Sequence, residues 1–407
     1  MGSGIGTIVG FALSLSVLSL FTSGCGQKTQ DGAAIFTAKG KSAFESKDYA
    51  TAIRCFTETI QLSPNDPSPY NNRGRVHLKS GDLDAAVKDF DEAIRLDPKL
   101  AISHNNRGLV YLDKLDQVNA IARFTEAIRL DPNLVQAYSN RGLAYANNGE
   151  QDKAIADCDE ALRLDPKYDH AYNNRGLAYA NKGDSTRAIV EYSQAIQLRP
   201  NNAISFCNRG DAYMANGDLK NAEQDILESI RIDPLYGLAY SELGLILYKR
   251  GELDNAIENY TKAIQINPKL DVAFANRGAA YDRKRNIEKA IADYTEAIRI
   301  NPNNAIAFGN RGKVYLIMGE REKSLGDFQV AVRLEPKSAT VHNNIGMVLL
   351  SNADYEKSIK EFTEAIRLNP KFATAYFSRG VVYEKLGETE KAAADFAEAK
   401  RLGFVEK

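Results

Sequence analysis

Glycine returns at every thirty-fourth residue of this chain: Gly40, Gly74, Gly108, Gly142, Gly176, Gly210, Gly244, Gly278, Gly312, Gly346 and Gly380. Proline keeps the same step, and ten of the twelve prolines, from Pro64 to Pro370, hold one register. A period this strict means one supersecondary unit repeated and stacked, because no unit of that size can bury its apolar face alone. Length alone, 407 residues, would suggest two or three domains. Eleven units between Ala33 and Glu406 instead make a single tandem array with no linker inside it.

Within the unit Asp169 to Asn202, Tyr172, Gly176 and Tyr179 stand at spacings of four and three, and Ala188, Tyr192 and Ala195 repeat that spacing. Two amphipathic helices follow. Between them lies Gly183-Asp184. Seven of the eleven units carry glycine at the first of these positions, which suits a left-handed helix C-cap. The next position is acidic in ten units and Asn286 in the other, as an N-cap of the second helix requires. Proline then closes the second helix, since it has no backbone donor and clashes with the turn before it.

The order Tyr172, Gly176, Tyr179, Ala188, Tyr192, Pro200 resembles the tetratricopeptide repeat (TPR) pattern. The resemblance implies an all-α fold, a TPR α-solenoid: a right-handed superhelix of about eleven helix-turn-helix repeats. Departures are few. Cys158 and Ile226 replace the second-helix aromatic, Ser324 and Ser358 replace the alanine, and the family's leucine before the glycine is mostly arginine here.

With the recurring glycine numbered 8 in each unit, helical geometry predicts that positions 4, 8 and 11 form the buried stripe of the first helix. Position 7 is Arg73, Arg141, Arg175, Arg209, Arg277, Arg311 and Arg379, and position 23 in the same units is Asp89, Asp157, Glu191, Asp225, Asp293, Asp327 and Asp395. An antiparallel hairpin sets these two positions opposite one another, so the sequence predicts a repeated, partly buried ion pair with a structural role. Arg107, which meets Arg123, and Leu243, which meets Asn259, depart from the rule.

Position 6 is asparagine in eight units: Asn72, Asn106, Asn140, Asn174, Asn208, Asn276, Asn310 and Asn344. It lies about 200 degrees from position 4 and so points away from the hairpin's own core. The family resemblance places stacked first helices along the inner wall of the superhelix, and these amides as a ladder on it, similar to the ladder in the TPR region of O-GlcNAc transferases. An amide offers a donor and an acceptor to an extended peptide backbone of any sequence. The alternative reading is that the asparagines bond to neighbouring helices and stabilise stacking. Positions 2, 5, 9, 12 and 13 share this face; in the middle units they are neutral amides and small apolar residues such as Gln136, Ser139, Leu143 and Ala146. Lys41, Arg75 and Lys79 are confined to the first two units. That distribution argues against the carboxylate clamp of TPR domains that grip acidic C-termini.

The first residues stand outside the array. An uncharged apolar run, Ile5 to Thr22, leads to Ser23-Gly24-Cys25, with no lysine or arginine before Lys28. It reads as a signal peptide or a marginal membrane anchor over 1–25. Ser23 and Gly24 resemble the bacterial lipobox, although Thr22 stands where leucine is usual, and the resemblance implies lipidation of Cys25. Residues 26–32 then form a tether of about 25 Å at full extension, and the expected location is a bacterial cell envelope, anchored to its membrane.

The balance of 52 basic against 53 acidic residues, without aromatic-plus-basic clusters, argues against a nucleic-acid partner. His77, His104, His170 and His342 are dispersed without metal-type spacing; two of them occupy position 4, where a packed histidine is expected. Cys55 is read on an outward second-helix position, Cys158 in the core and Cys207 on the inner wall, with no disulfide among them. No cofactor, metal or catalytic residue is expected. The sequence therefore predicts a non-enzymatic, membrane-tethered scaffold for extended peptide segments. Two further readings stay open: an envelope assembly factor whose partners dock on convex or terminal surfaces, and an adaptor subunit of an enzyme complex. The last unit ends near Lys407 with Phe396 and Ala399 uncovered, which points to self-association.

Overall fold

The computed structural model describes residues 31–405, in which every regular element is an α-helix. The leader and Cys25 lie outside the described residues. The chain divides after Pro200 into two compact units. The first holds α1 (31–45), α2 (Tyr49–Leu62), α3 (Pro67–Ser80), α4 (Leu83–Leu96), α5 (Ala101–Asp113), α6 (Gln117–Leu130), α7 (Val135–Asn147), α8 (Gln151–Leu164), α9 (Asp169–Asn181) and α10 (Ser185–Leu198). The second holds α11 (Ala203–Ala215), α12 (Leu219–Ile232), α13 (Gly237–Arg250), α14 (Leu253–Ile266), α15 (Asp271–Arg283), α16 (Ile287–Ile300), α17 (Ala305–Ile317), α18 (Arg321–Leu334), α19 (Ala339–Ser351), α20 (Tyr355–Leu368), α21 (Ala373–Lys385) and α22 (Thr389–Arg401). Already at Asp31 and Gly32 the chain is helical, so the helix takes in the end of the segment read above as a tether.

Each repeat is an antiparallel helix pair, and within each unit every first helix also packs on the second helix before it and on the neighbouring first helices. The turn inside the pair is fixed by chemistry at two residues. The first is left-handed in every repeat: seven glycines have φ between 75° and 85°, and Lys47, Leu115, Arg285 and Ala353 take φ of 58° to 62° at the same place. The second is the N-cap of the following helix; Asp82, Asp116, Asp184, Asp218 and Asn286 each accept from the backbone N–H three residues on. The glutamate caps, such as Glu252, make no such bond. At the far end the residue before proline turns extended, as Asp97 does at φ −136°, ψ 95°, and the second helix stops there.

Glycine at position 8 is where the two helices touch. A Cβ on Gly176 would lie 2.7 Å from Tyr192 Cε1, and one on Gly108 would lie 2.5 Å from Phe124 Cε1. Closeness here lets the aromatic at position 24 fill the space over the first helix; Tyr192, Tyr260, Phe90 and Phe124 are fully buried there. The serines that replace alanine keep the contact, because Ser324 and Ser358 donate to the carbonyl oxygens of Gly312 and Gly346 at 2.7 and 2.8 Å.

Two sequence expectations are corrected here. Positions 3, 8 and 10, such as Ala137, Gly142 and Ala144, are the buried ones on the first helix, whereas the rings at 4 and 11 are mostly half-buried. The first helix is covered by the preceding repeat as well as by its own partner, and that second neighbour shifts the buried face. Rings at position 4 lie at the edge, where Tyr70 and Tyr172 donate their hydroxyls to the carbonyls of Pro64 and Pro166. His104 and His342 in the same slot face Pro98 and Pro336 carbonyls, so these are packed histidines. Cys55 is buried rather than outward, because position 23 looks at the first helix. All three described cysteines are free thiols.

Candidate binding wall of the first helices

The seven expected ion pairs all form. Arg277 Nε and Nη2 donate to the two carboxylate oxygens of Asp293 at 2.8 Å each, and Arg73, Arg141, Arg209, Arg311 and Arg379 repeat this two-pronged geometry. Arg175 uses one oxygen of Glu191. A third contact was not anticipated: Nη1 reaches back sixteen residues to the preceding second helix, as Arg277 does to Thr261 at 3.0 Å and Arg141 to Thr125 at 3.1 Å. Arg107, which lacks a carboxylate in its own repeat, pairs with Asp91 at that same place. Arg73, Arg141, Arg175, Arg277, Arg311 and Arg379 therefore each tie two second helices to the first helix between them. The guanidinium also lies between rings, with Arg141 5.8 Å from the Tyr138 centroid and 5.9 Å from that of Tyr145. Where Leu243 replaces the arginine, the two flanking residues are Leu227 and Asn259, so no charge is left unpaired.

With the helices fixed, position 6 meets position 5 of the repeat before. Asn106 Nδ2 donates to Asn71 Oδ1 at 2.9 Å, Asn140 Nδ2 to Asn105 Oδ1 at 3.0 Å, and Asn174 Nδ2 to both oxygens of Ser139 at 3.0 Å. Asn106, Asn140 and Asn174 thus hold neighbouring first helices together. Asn208 is also engaged. In the second unit the preceding position-5 residues are Ser241, Ala275 and Gly309, and two of these have no side-chain acceptor. Asn276, Asn310 and Asn344 are half-buried, and their side chains, like that of Asn72, form no hydrogen bond among the described residues. Sequence reasoning missed the position-5 partner, though its signal was present: an amide or hydroxyl thirty-five residues before Asn106, Asn140 and Asn174.

Positions 2, 5, 6, 9, 12 and 13 do share one face. In the first unit they surround a cavity of about 430 Å³ whose polar lining includes Arg75, Lys79, Asn105, Asn140 and His170, with Phe44, Leu78 and Leu109 between them. Arg75 lies 5.3 Å from the Phe44 centroid. Withdrawal from water lowers the affinity of the His170 imidazole for its proton; Asp169 opposes this, and Arg199 and Lys79 add to it.

The second unit carries the one acidic residue at position 6. Glu242 cannot donate as asparagine does, and the residue it meets in the preceding repeat is Cys207. Its Oε2 is buried without a partner. Burial first, and the charge of Asp211 second, lift the carboxyl to about 7. Cys207 is buried and its thiol is pushed well above the ordinary range by that burial.

Among the described residues no three potential metal ligands gather, and no helix is long and apolar enough to cross a membrane.

Comparison with known proteins bears directly on the fold. Profiles described as Tetratricopeptide repeat match residues 40–109, 135–168, 158–190, 203–234, 272–304 and 343–403, and one described as TPR repeat matches 117–149, 180–217 and 244–284. Among solved structures, the APC/C hetero-tetramer Cut9-Hcn1 is similar at a TM-score of 0.56 and 15% identity, over 91% of this chain and 93% of that one. A monomeric mutant of IFIT1 with Gppp-AAAA gives 0.55 and 15% over 83% and 91%. A tetratricopeptide repeat protein from Parabacteroides merdae gives 0.52 and 18% over 61% and 99%. No curated protein matches the chain. At these identities the solved structures speak for the fold alone, and with the profiles and the helix pairs they agree: this chain belongs to the tetratricopeptide repeat family.

Proposed function

We propose that the protein is a non-enzymatic interaction scaffold that holds extended peptide segments of its partners against the amide-bearing wall. The observation that carries this reading is the column Asn276, Asn310 and Asn344, three half-buried amides at one position of successive repeats with no hydrogen-bond partner among the described residues. Water can reach these half-exposed amides, and a peptide backbone running along the wall supplies an acceptor and a donor to each in its place. Asn140 and Asn174 donate to the preceding repeat, and their oxygens accept no bond among the described residues. TPR proteins bind protein partners, and an array of paired helices fits that role. We further propose that residues 1–25 tether the array to a bacterial envelope membrane, with Cys25 as the lipidated residue.

The test is crosslinking copurification from native membranes with the variant Asn276→Ala/Asn310→Ala/Asn344→Ala beside Asn106→Ala/Asn140→Ala/Asn174→Ala, after helicity is matched. Loss of a partner with the first variant supports the wall; identical partners with both and with wild type count against it. Mass spectrometry of the purified N-terminus for diacylglyceryl-Cys25 tests the anchor.

A second reading, docking or self-association at the C-terminal end, is favoured by one feature. Phe377, Val381, Phe396 and Phe404 line a hollow of about 770 Å³. It is less bare than the sequence suggested: Ala399 is buried, and Phe404 returns to stack on Phe377 with ring centroids 4.2 Å apart. Sedimentation of the Phe404→Ala variant against wild type separates this reading from the first.

A further inference from the structure

Three buried oxygens without partners among the described residues occur on one helix pair of the second unit: Ser241 Oγ, Glu242 Oε2 and the Tyr260 hydroxyl. Ser241 and Tyr260 are fully buried. They belong to α13 and α14, which pack as a pair, and after burial the Glu242 charge does most to raise the Tyr260 phenol. Buried polar groups without partners are uncommon in a folded protein, and of these three only Glu242 is partly open to the wall. The elements around Glu242 offer it no cation. From α11 it faces Cys207 and Asp211, Tyr236 and Tyr260 stand near it, and from α15 the repeat register sets the neutral Asn276 against the adjacent Ser241. Lys249 acts on Asp211 without forming a salt bridge, and among the described residues neither Asp211 nor Glu242 is in one. One helical turn before Glu242 on the same face is Leu238, and Ile204 stands at the equivalent place in the preceding repeat, 48% exposed.

We infer that this stretch of the wall is a subsite for a cationic side chain, lysine or arginine, of the bound peptide, with Glu242 and Asp211 as counter-charges and Ile204 and Leu238 receiving the aliphatic stem. The inference rests on the wall being the peptide site and adds the chemistry it selects. A carboxyl that is protonated near neutrality in the empty protein gives up its proton when the cation arrives, so binding strengthens as pH rises through about 7. The stem explains why apolar residues sit beside the acids: long cationic side chains cover apolar surface while the charged end finds its partner.

The experiment uses the full chain and fluorescein-labelled, end-blocked peptides of Ala, Gln and Ser that carry one central Lys, Leu or Glu, followed by anisotropy at pH 6 and pH 8. At pH 8 the Lys peptide is expected to bind about tenfold more tightly than the Leu peptide, the worth of one charge-assisted contact. That preference shrinks at pH 6, and disappears in Glu242→Gln, which keeps shape and volume, and in Asp211→Asn, which lies on the open side of the wall. Equal binding of Lys and Leu peptides to wild type at pH 8, or an undiminished Lys preference in both variants, overturns the inference. If Leu and Lys peptides bind equally and Asn276→Ala weakens both, the peptide wall stands and only the cationic subsite falls. If no peptide binds, both are refuted.

Discussion

Removing Arg277 should cost the repeat around α15 and α16 more than any exposed charge could. Its two bonds to Asp293 are 2.8 Å long, the third reaches Thr261, and the guanidinium lies 5.7 Å from the Phe274 centroid. The side chains are 17% and 9% exposed, which places the pair between two known regimes. Exposed pairs contribute about 0–1 kcal/mol, and breaking a fully buried one costs about 3–5 kcal/mol because the surviving charge has no compensation. With roughly a sixth of the arginine still in water, Arg277→Ala should lower local stability by about 2–3 kcal/mol. Asp293→Asn should cost less, since the amide retains one acceptor, and the double variant should show a coupling of about 1–2 kcal/mol. Repeat arrays open locally, so the assay is hydrogen exchange of peptides from α15 and α16 rather than a single melting curve. A loss below about 0.5 kcal/mol together with zero coupling would refute the view that these arginines fasten adjacent repeats. Leu243 supplies an internal control. Leu243→Arg should destabilise, since Leu227 and Asn259 offer it no carboxylate.

Three other outcomes follow from single residues. Glu242 has a folded value near 7 against an ordinary 4.5, so the native state holds an extra proton between these values and stability falls as pH rises through that window. Glu242→Gln should therefore gain on wild type by on the order of 3 kcal/mol between pH 4.5 and pH 8 in paired denaturant titrations, and a constant difference across that range would contradict the assignment. Gly176→Ala forces a methyl to within 2.7 Å of the Tyr192 ring and should lose about 1–3 kcal/mol, read as earlier urea unfolding. Leu115 is 82% exposed at φ 58°, so Leu115→Gly should stabilise by about 0.5–1 kcal/mol through release of backbone strain; a lower melting temperature would count against this.

The legibility of this protein differs from one position to the next. The arginine pairs could be found without coordinates because positions 7 and 23 belong to one hairpin, whose turn and caps are written in consecutive residues and set the register. The reach of the same arginine to Thr261 or Thr125 was hidden, although threonine recurs at position 25, since that contact depends on how one hairpin leans on the next. Buried positions 3 and 10 were misjudged for the same reason. A helical wheel knows the helix's own partner and nothing of the second neighbour.

The amides draw the line most sharply. Sequence alone determined that an asparagine faces away from each hairpin's own core, because a hundred degrees per residue fixes that direction from the backbone outward. Tertiary structure decided what each asparagine meets there. Stacking brings Asn106, Asn140 and Asn174 within 3.0 Å of an acceptor on the preceding repeat, and brings Asn310 and Asn344 against Ala275 and Gly309, which carry no side-chain acceptor. Identical residues at identical positions thus differ in what they leave open, since a hydrogen bond needs a partner at the right distance and a repeat sequence supplies only the periodicity.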